Sequence, residues 1–118
     1  LETVSDNTFV ICQVESAKAA NNIDEIVKVD GLDMIFIGPF DLSASLGTPA
    51  KFENPEHQRL MKKTIEATKA AGKYLGVTPY GTNSMADLYS QGFDLVISLA
   101  DVGMIRDAAQ ALADQKPK

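Results

Sequence analysis

The sequence has no tryptophan, a single cysteine and a single histidine, Cys12 and His57. One cysteine cannot form a disulfide within the chain, so we expect a reducing compartment and a cytoplasmic location. Cys12 lies inside an apolar run, where a buried structural thiol is more common than a reactive one. The composition therefore does not suggest a disulfide-stabilised secreted fold.

Positive charge is also scarce, because 11 Lys and Arg face 16 Asp and Glu and leave a net charge of −5. No basic stripe can neutralise phosphates, so we expect no nucleic-acid partner. No apolar run approaches the roughly 18 residues of a membrane span, and no signal-peptide pattern opens the chain. We therefore expect no membrane partner either. The chain begins at Leu1 and not at methionine, which fits a processed or excised piece of something longer.

What the sequence does have is an ordinary globular composition, with 118 residues, 45% hydrophobic and 23% charged. This length is enough to bury a core, and no linker or low-complexity segment divides it. We expect a single domain over residues 1–118.

Four short apolar runs predict β-strands, and each is continuous instead of alternating with polar residues. Such runs are typical of parallel strands that are covered on both faces. They occupy residues 9–14, 33–38, 74–79 and 93–99.

Helical patterns follow the four runs, at residues 16–29, 54–72, 82–92 and 101–114. The third run is preceded by the clearest of them, in which Asn54 is a cap, Pro55 takes the first helical position and Gly72 ends the helix. The order is a βα unit repeated four times, which predicts an α/β fold with a parallel sheet. Four βα units are half of a TIM (β/α)₈ barrel. The pattern alone leaves two alternatives open, a flavodoxin-like open sheet or a half-barrel that pairs with another half.

Acidic residues follow the first two predicted strands, Glu15 after one and Asp41 after the other. Parallel α/β folds place their sites at these strand ends, so the two carboxylates are expected to converge. A divalent metal relieves the repulsion between them, and oxygen ligands favour Mg²⁺ or Mn²⁺. The alternative interpretation is that both acids only stabilise helix N-termini.

Gly38 and Pro39 precede Asp41 and indicate a helix start in which the backbone N–H groups of Phe40 and Asp41 are exposed. Such a start is a good place for an anionic group.

The remaining polar candidates are expected to be surface groups. His57 lies in the first turn of a predicted helix, where we expect a solvated position, and Arg59 and Arg106 also lie on helices. No lysine falls inside a predicted strand or at its carboxyl end, and Lys73 precedes a strand at the opposite end. A Schiff-base mechanism is therefore disfavoured.

The stretch over residues 12–47 resembles the HpcH/HpaI aldolase/citrate lyase family of metal-dependent class II aldolases. The motifs that carry the resemblance are Q-x-E after one strand, Gln13-Val14-Glu15, and G-P-x-D-L-S after the next, over residues 38–43. Glu15 and Asp41 are 26 positions apart, which also fits the family. The resemblance extends over most of the chain, from about Phe9 to Asp114.

The resemblance implies that Glu15 and Asp41 hold a divalent cation, Mg²⁺ or Mn²⁺. It implies that Gly38, Pro39, Phe40 and Asp41 form the substrate site, where the amides of Phe40 and Asp41 receive the carboxylate of pyruvate, oxaloacetate or another 2-oxo acid. Gln13 would line the same pocket and take part in catalysis. The implied reaction is carbon–carbon bond cleavage through a metal-bound pyruvate enolate.

The family pattern and this chain differ in three respects. Family members are complete (β/α)₈ barrels of roughly twice this length, and the four units here correspond to the last four. The catalytic histidine and the arginine that contacts the keto oxygen come from the other half. Phe40 stands where alanine is commoner. Two hypotheses follow: the carboxyl-terminal half of an aldolase whose amino-terminal half is missing, or a catalytically incomplete half-barrel that self-associates and binds metal or small anions.

Overall fold

The computed structural model describes residues 7–98 and 100–115. Four parallel strands form one sheet in the order in which they occur in the chain. The strands are β1 (Ile11–Val14), β2 (Met34–Ile37), β3 (Tyr74–Val77) and β4 (Leu95–Val96).

Helices follow each strand and connect it to the next. Two short helices follow β1, namely α1 (Ala17–Asn21) and α2 (Ile23–Ile26). After β2 come the short α3 (Pro39–Ser45) and the long α4 (Pro55–Ala70). The chain continues through α5 (Met85–Ser90) after β3 and α6 (Asp101–Ala113) after β4. The predicted α/β fold with four βα units is confirmed.

The main core lies between one face of the sheet and the helices. Side chains of the strands and of α1, α2, α4 and α5 belong to one buried cluster, which includes Val14, Ala20, Ile23, Ile35, Ile37, Leu60, Leu75, Val77 and Leu88. A flavodoxin-like sheet has helices on both faces and a reversal of strand order. The sequential order and the shared core on one face are those of a barrel segment.

The opposite face of the sheet carries its own row of side chains, which lie outside the main buried cluster. Gln13, Phe36 and Gly76 are in register across β1, β2 and β3. A Cβ atom on Gly76 would lie 2.5 Å from Cδ2 of Phe36, so the Phe36 ring lies directly over that glycine. Ile11 and Tyr74 remain about half exposed, at 47% and 54%. In a closed barrel this face would be the inner one.

Several boundaries differ from the sequence predictions. The predicted strands are longer than those observed, and the last, residues 93–99, contains only Leu95–Val96 as strand, with Leu99 outside the described residues. The predicted helix over residues 16–29 divides at Asn22, which ends α1 and begins α2. The helix start predicted at Gly38 and Pro39 is that of α3, whose extent the sequence analysis did not give.

Two further predictions concern Cys12 and a membrane span. Cys12 is half-buried and packs against the core, so its thiol is less buried than the sequence predicts. None of the side chains of α6 is buried. Among the described residues, no helix has the length and apolar character that crossing a membrane requires.

Candidate functional site

The turn between β2 and α3 presents free backbone amides. Gly38 is the N-cap of α3 and has no side chain with which to cap it, and Pro39 occupies the first helical position. The first N–H groups of a helix have no partner within the helix, and Leu42 is the first residue here whose N–H bonds back, to the oxygen of Gly38 at 2.9 Å. The amides of Phe40 and Asp41 are therefore left for an external acceptor.

Glu15 packs directly against this turn. A Cβ atom built on Gly38 would lie 2.9 Å from Cβ of Glu15 and 3.2 Å from its Oε2. The same Cβ would lie 3.3 Å from Nε2 of Gln13, which donates a hydrogen bond of 2.6 Å to Oε2 of Glu15. Because a side chain at Gly38 would fill this space, glycine is what lets the two strand ends meet.

The donor set at this place suits a hard divalent cation. Glu15 is exposed, and the exposed Asp41 lies in the first turn of α3, three positions after Gly38. Mg²⁺ is commonly held by one or two carboxylates and otherwise by water and substrate oxygens. Among residues 7–98 and 100–115, no group of three or more His, Cys, Asp and Glu side chains is placed to hold a metal. Glu15 and Asp41 are thus of the ligand type that the implied ion takes.

The prediction that His57 is solvated is wrong, because the structure buries this side chain completely. Its Nε2 lies 3.1 Å from the carbonyl oxygen of Pro39, within the candidate site turn. The position follows from helix geometry, since His57 lies three residues before Leu60 and four before Met61, on the buried face of α4. That spacing was the signal in the sequence which could have identified it.

Aromatic rings connect this histidine to the turn. The ring of Phe52 has its centroid 4.9 Å from that of Phe40, 5.6 Å from His57 and 5.6 Å from Tyr80, all in edge-to-face geometry. Such pairs add to the stabilisation that burial provides. Burial within this cluster raises the pKa of the Tyr80 hydroxyl. Phe40, at the site turn, is thus held by packing on one side.

Ser43 is a further residue that the sequence analysis did not assign to the site. It is buried, and its Oγ donates to the carbonyl oxygen of Phe40 at 2.6 Å while accepting from the N–H of Ala50 at 2.8 Å. The hydroxyl therefore ties the loop that follows α3 to the first turn of that helix.

A cavity of about 460 Å³ opens beside the Phe40 side chain at the carboxyl ends of β3 and β4. Besides Phe40, its walls are mainly small or apolar: Thr78, Pro79, Ile97, Ser98 and Ala100. The site turn therefore has room next to it for a substrate group larger than a carboxylate.

The other sequence predictions about charged residues agree with the structure. Arg59 is exposed and pairs with Glu56 at 2.6 Å, which lowers the pKa of that carboxyl group. Arg106 is also exposed. Lys73 donates to the carbonyl oxygen of Leu32 at 2.7 Å, before β2 begins and thus at the end of the sheet opposite the site.

Comparisons with known proteins point to one family. A model of the HpcH/HpaI aldolase/citrate lyase family matches residues 2–108. A 2-keto-3-deoxy-L-rhamnonate aldolase of Escherichia coli (strain K12) is 39% identical over 105 residues, which are 89% of this chain and 39% of that protein. The chain thus spans about two fifths of the length of this relative.

Solved structures of related proteins share the fold of this chain. The HpcH/HpaI aldolase/citrate lyase family protein from Burkholderia cenocepacia J2315 superposes with a TM-score of 0.84 at 33% identity, over 97% of this chain and 45% of that one. Macrophomate synthase, at 21% identity, shares the fold with a TM-score of 0.81 over 96% of this chain and 40% of its own. The prediction of half a TIM barrel is confirmed.

Proposed function

Because the chain belongs to the HpcH/HpaI aldolase/citrate lyase family, we propose that it supplies the metal- and 2-oxo-acid-binding half of a carbon–carbon lyase. In this proposal residues 1–118 form one half-barrel domain of a cytoplasmic class II aldolase. The substrate is pyruvate, oxaloacetate or a longer 2-oxo acid. The observation that carries the proposal is the contact of Glu15 with Gly38, beside uncapped amides and three residues from Asp41.

Each residue of the site has a role that follows from its chemistry. Glu15 and Asp41 would hold Mg²⁺ or Mn²⁺, and such an ion supplies positive charge where negative charge develops on the keto oxygen as the bond breaks. The Gln13 amide orients Glu15 by the hydrogen bond of 2.6 Å. The amides of Phe40 and Asp41 donate to the substrate carboxylate, which fixes the substrate at one end.

The cavity beside Phe40 would take the other end of the substrate. Pro39 closes the turn on its buried side, and the exposed ring of Phe40 forms one wall of the cavity. The apolar ring and Pro79 exclude water from that side. A bulky residue at position 40 would therefore restrict which 2-oxo acids fit.

A second candidate function is binding without turnover. The chain has one histidine, and that residue is buried against Pro39 and cannot reach a substrate without a rearrangement. General acid–base chemistry needs a group within hydrogen-bond reach of the reacting atoms. A half-barrel that self-associates and binds metal or small anions is accordingly the alternative, unless a partner segment supplies the missing histidine and arginine.

The metal site can be tested by binding alone. We expect Mn²⁺ titration, followed by electron paramagnetic resonance of the free ion, to reveal one site per chain that Mg²⁺ displaces. Asp41→Asn and Glu15→Gln should each weaken binding at least tenfold, since each removes one of two charged ligands. The control is Glu66→Gln, an exposed acid on the outer side of α4. Equal Mn²⁺ affinity in all four proteins would overturn the proposal.

A further inference from the structure

Two side chains hold the carbonyl groups of the site turn. His57 Nε2 lies 3.1 Å from the oxygen of Pro39, and Ser43 Oγ donates to the oxygen of Phe40 at 2.6 Å. A carbonyl oxygen can only accept a hydrogen bond, so Nε2 of His57 must carry the proton and donate. Both contacts are made by residues that are fully buried.

These bonds fix the direction of the free amides because of peptide geometry. A trans peptide unit is planar, and its C=O and N–H groups point in opposite directions. The oxygen of Pro39 shares a peptide unit with the N–H of Phe40, and the oxygen of Phe40 shares one with the N–H of Asp41. A hydrogen bond to each oxygen therefore directs the N–H of the same peptide unit toward the opposite side. The bond also polarises that N–H and makes it a better donor.

The surroundings of His57 are aromatic, and in the described part of the chain they satisfy only one of its two ring nitrogens. Its ring packs edge-to-face against Phe52, and within the described part of the chain its Nδ1 is buried with no hydrogen-bond partner. An unsatisfied polar atom costs folding free energy that a leucine at this position would not. The bond to Pro39 is the one gain in the described residues that an apolar side chain could not reproduce.

We propose that His57 is a positioning residue for 2-oxo acid binding, which acts by holding the Pro39 carbonyl so that the Phe40 amide points at the substrate carboxylate. The inference rests on the proposed function, because it assumes that this amide receives an anion. Ser43 performs the same task for the Asp41 amide. The role of His57 is thus structural support of the site and not proton transfer.

Replacing His57 with residues that keep or lose the donor tests this role. In His57→Gln the amide Nε2 can occupy the place of the imidazole Nε2, whereas His57→Leu has no donor. With the full chain loaded with Mn²⁺, oxalate affinity should fall about tenfold in His57→Leu, the loss of one well-oriented bond to a charged group. It should return to within about threefold of the original in His57→Gln. Affinity for Mn²⁺ alone should stay unchanged in both.

A control variant and a ligand-free measurement exclude a general folding defect. Thr64→Val alters another buried, unpartnered side chain on α4, so it should leave oxalate affinity unchanged. The ¹⁵N shift of the Phe40 amide in the free protein should move in His57→Leu and return in His57→Gln. Where His57→Leu does not fold, by circular dichroism, His57→Asn serves instead, since its shorter amide does not reach Pro39.

The outcomes separate this inference from the proposed function. Unchanged oxalate affinity and an unchanged Phe40 shift in a folded His57→Leu would overturn the role of His57 and leave the metal site intact. Oxalate affinity reduced equally in the leucine and glutamine variants would also overturn it, because it would show that shape matters and the donor does not. Absence of Mn²⁺ binding by the original protein would contradict the proposed function itself.

Discussion

At the scale of single residues, Gly38 determines how closely the two strand ends approach. Its backbone dihedral angles, φ −99° and ψ 86°, are accessible to other residues, so conformation does not require glycine there. The requirement comes from space, because Glu15 and Gln13 occupy the place that a side chain would take. The site therefore depends on the absence of a single methyl group.

Gly38→Ala should damage the site more than the fold. The added Cβ would lie 2.9 Å from Cβ of Glu15, so the Glu15 side chain must move and its carboxylate with it. We expect a loss of roughly 1–3 kcal/mol in the free energy of unfolding from overpacking, and Mn²⁺ affinity reduced at least tenfold. Chemical denaturation and Mn²⁺ titration measure the two effects.

Gly103→Ala is the matched control, since a Cβ at Gly103 meets no atom within 4 Å and the residue lies in the helix α6. It should leave Mn²⁺ affinity unchanged and raise helix stability slightly, by less than about 1 kcal/mol. Normal metal affinity in Gly38→Ala would contradict the close contact that the structure gives to Glu15.

The sequence places Glu15 and Asp41 just after two neighbouring strands, because motif spacing and strand ends are local features, and their role as metal ligands stays a prediction. The spacing of His57 from Leu60 and Met61 indicates the buried face of α4, but the sequence does not show what covers that end of the helix. A histidine in the first turn of a helix is solvated unless another element covers it, and the loop with Phe52 and the residue Tyr80 are brought there only by the tertiary fold. The partner on Pro39 lies 18 residues away and leaves no local signature.

At the scale of elements, α4 connects the site to the core. It carries His57 at its start, and Leu60, Met61, Thr64 and Thr68 continue the same buried face. The orientation of the helix start therefore sets the position of the imidazole. Asn54 fixes this start, since its Oδ1 accepts from the N–H of Glu56 at 2.8 Å and from that of His57 at 3.4 Å.

Asn54→Ala should destabilise the protein by about 1 kcal/mol, the usual effect of losing an N-cap. Because the cap also holds the first turn that bears His57, we expect a further effect on oxalate affinity, smaller than that of His57→Leu. Asn54→Asp keeps the acceptor and should restore both properties. Thermal unfolding and oxalate titration are the measurements, and a stability unchanged in the alanine variant would show that the cap is unimportant.

Element prediction from the sequence was best where the signals were strong. The cap Asn54, Pro55 and the stop at Gly72 bound α4 almost as the structure has it, Pro55–Ala70. For α3 the sequence indicated the start at Gly38 and Pro39 but not the extent, because its serines bond backbone oxygens in ways that also occur in loops. Ser43 and Ser45 donate to the carbonyl oxygens three residues earlier. Such local bonds are compatible with both a turn and a short helix.

At the scale of the whole molecule, the described chain is extended. Its radius of gyration is 17.3 Å, whereas a compact domain of this length has about 13–14 Å. Two features accompany this shape: α6 buries none of its side chains, and Ile11 and Tyr74 on the inner face of the sheet stay about half exposed. Both are consistent with a chain that spans less than half of the solved barrels it matches.

The sequence indicated four βα units but could not show which face of the sheet lies away from the helices. Inner and outer faces of a barrel strand are both apolar, so the runs at residues 33–38 and 74–79 look alike on both sides. Only the tertiary structure separates Ile35 and Ile37, under the helices, from Met34 and Phe36 on the other face.

The most direct test of the proposed function is the rate of oxaloacetate decarboxylation by this chain with Mn²⁺. The rate is measured with and without chelator and is compared with the rate that Mn²⁺ alone gives. We expect a protein-dependent rate that chelator abolishes and that Asp41→Asn reduces at least tenfold. The reason is that oxaloacetate needs only the cation and the amides of the site turn to lose its carboxyl group. A folded chain that binds Mn²⁺ but gives no rate above that of the free metal would contradict a catalytic role and leave binding without turnover as its function.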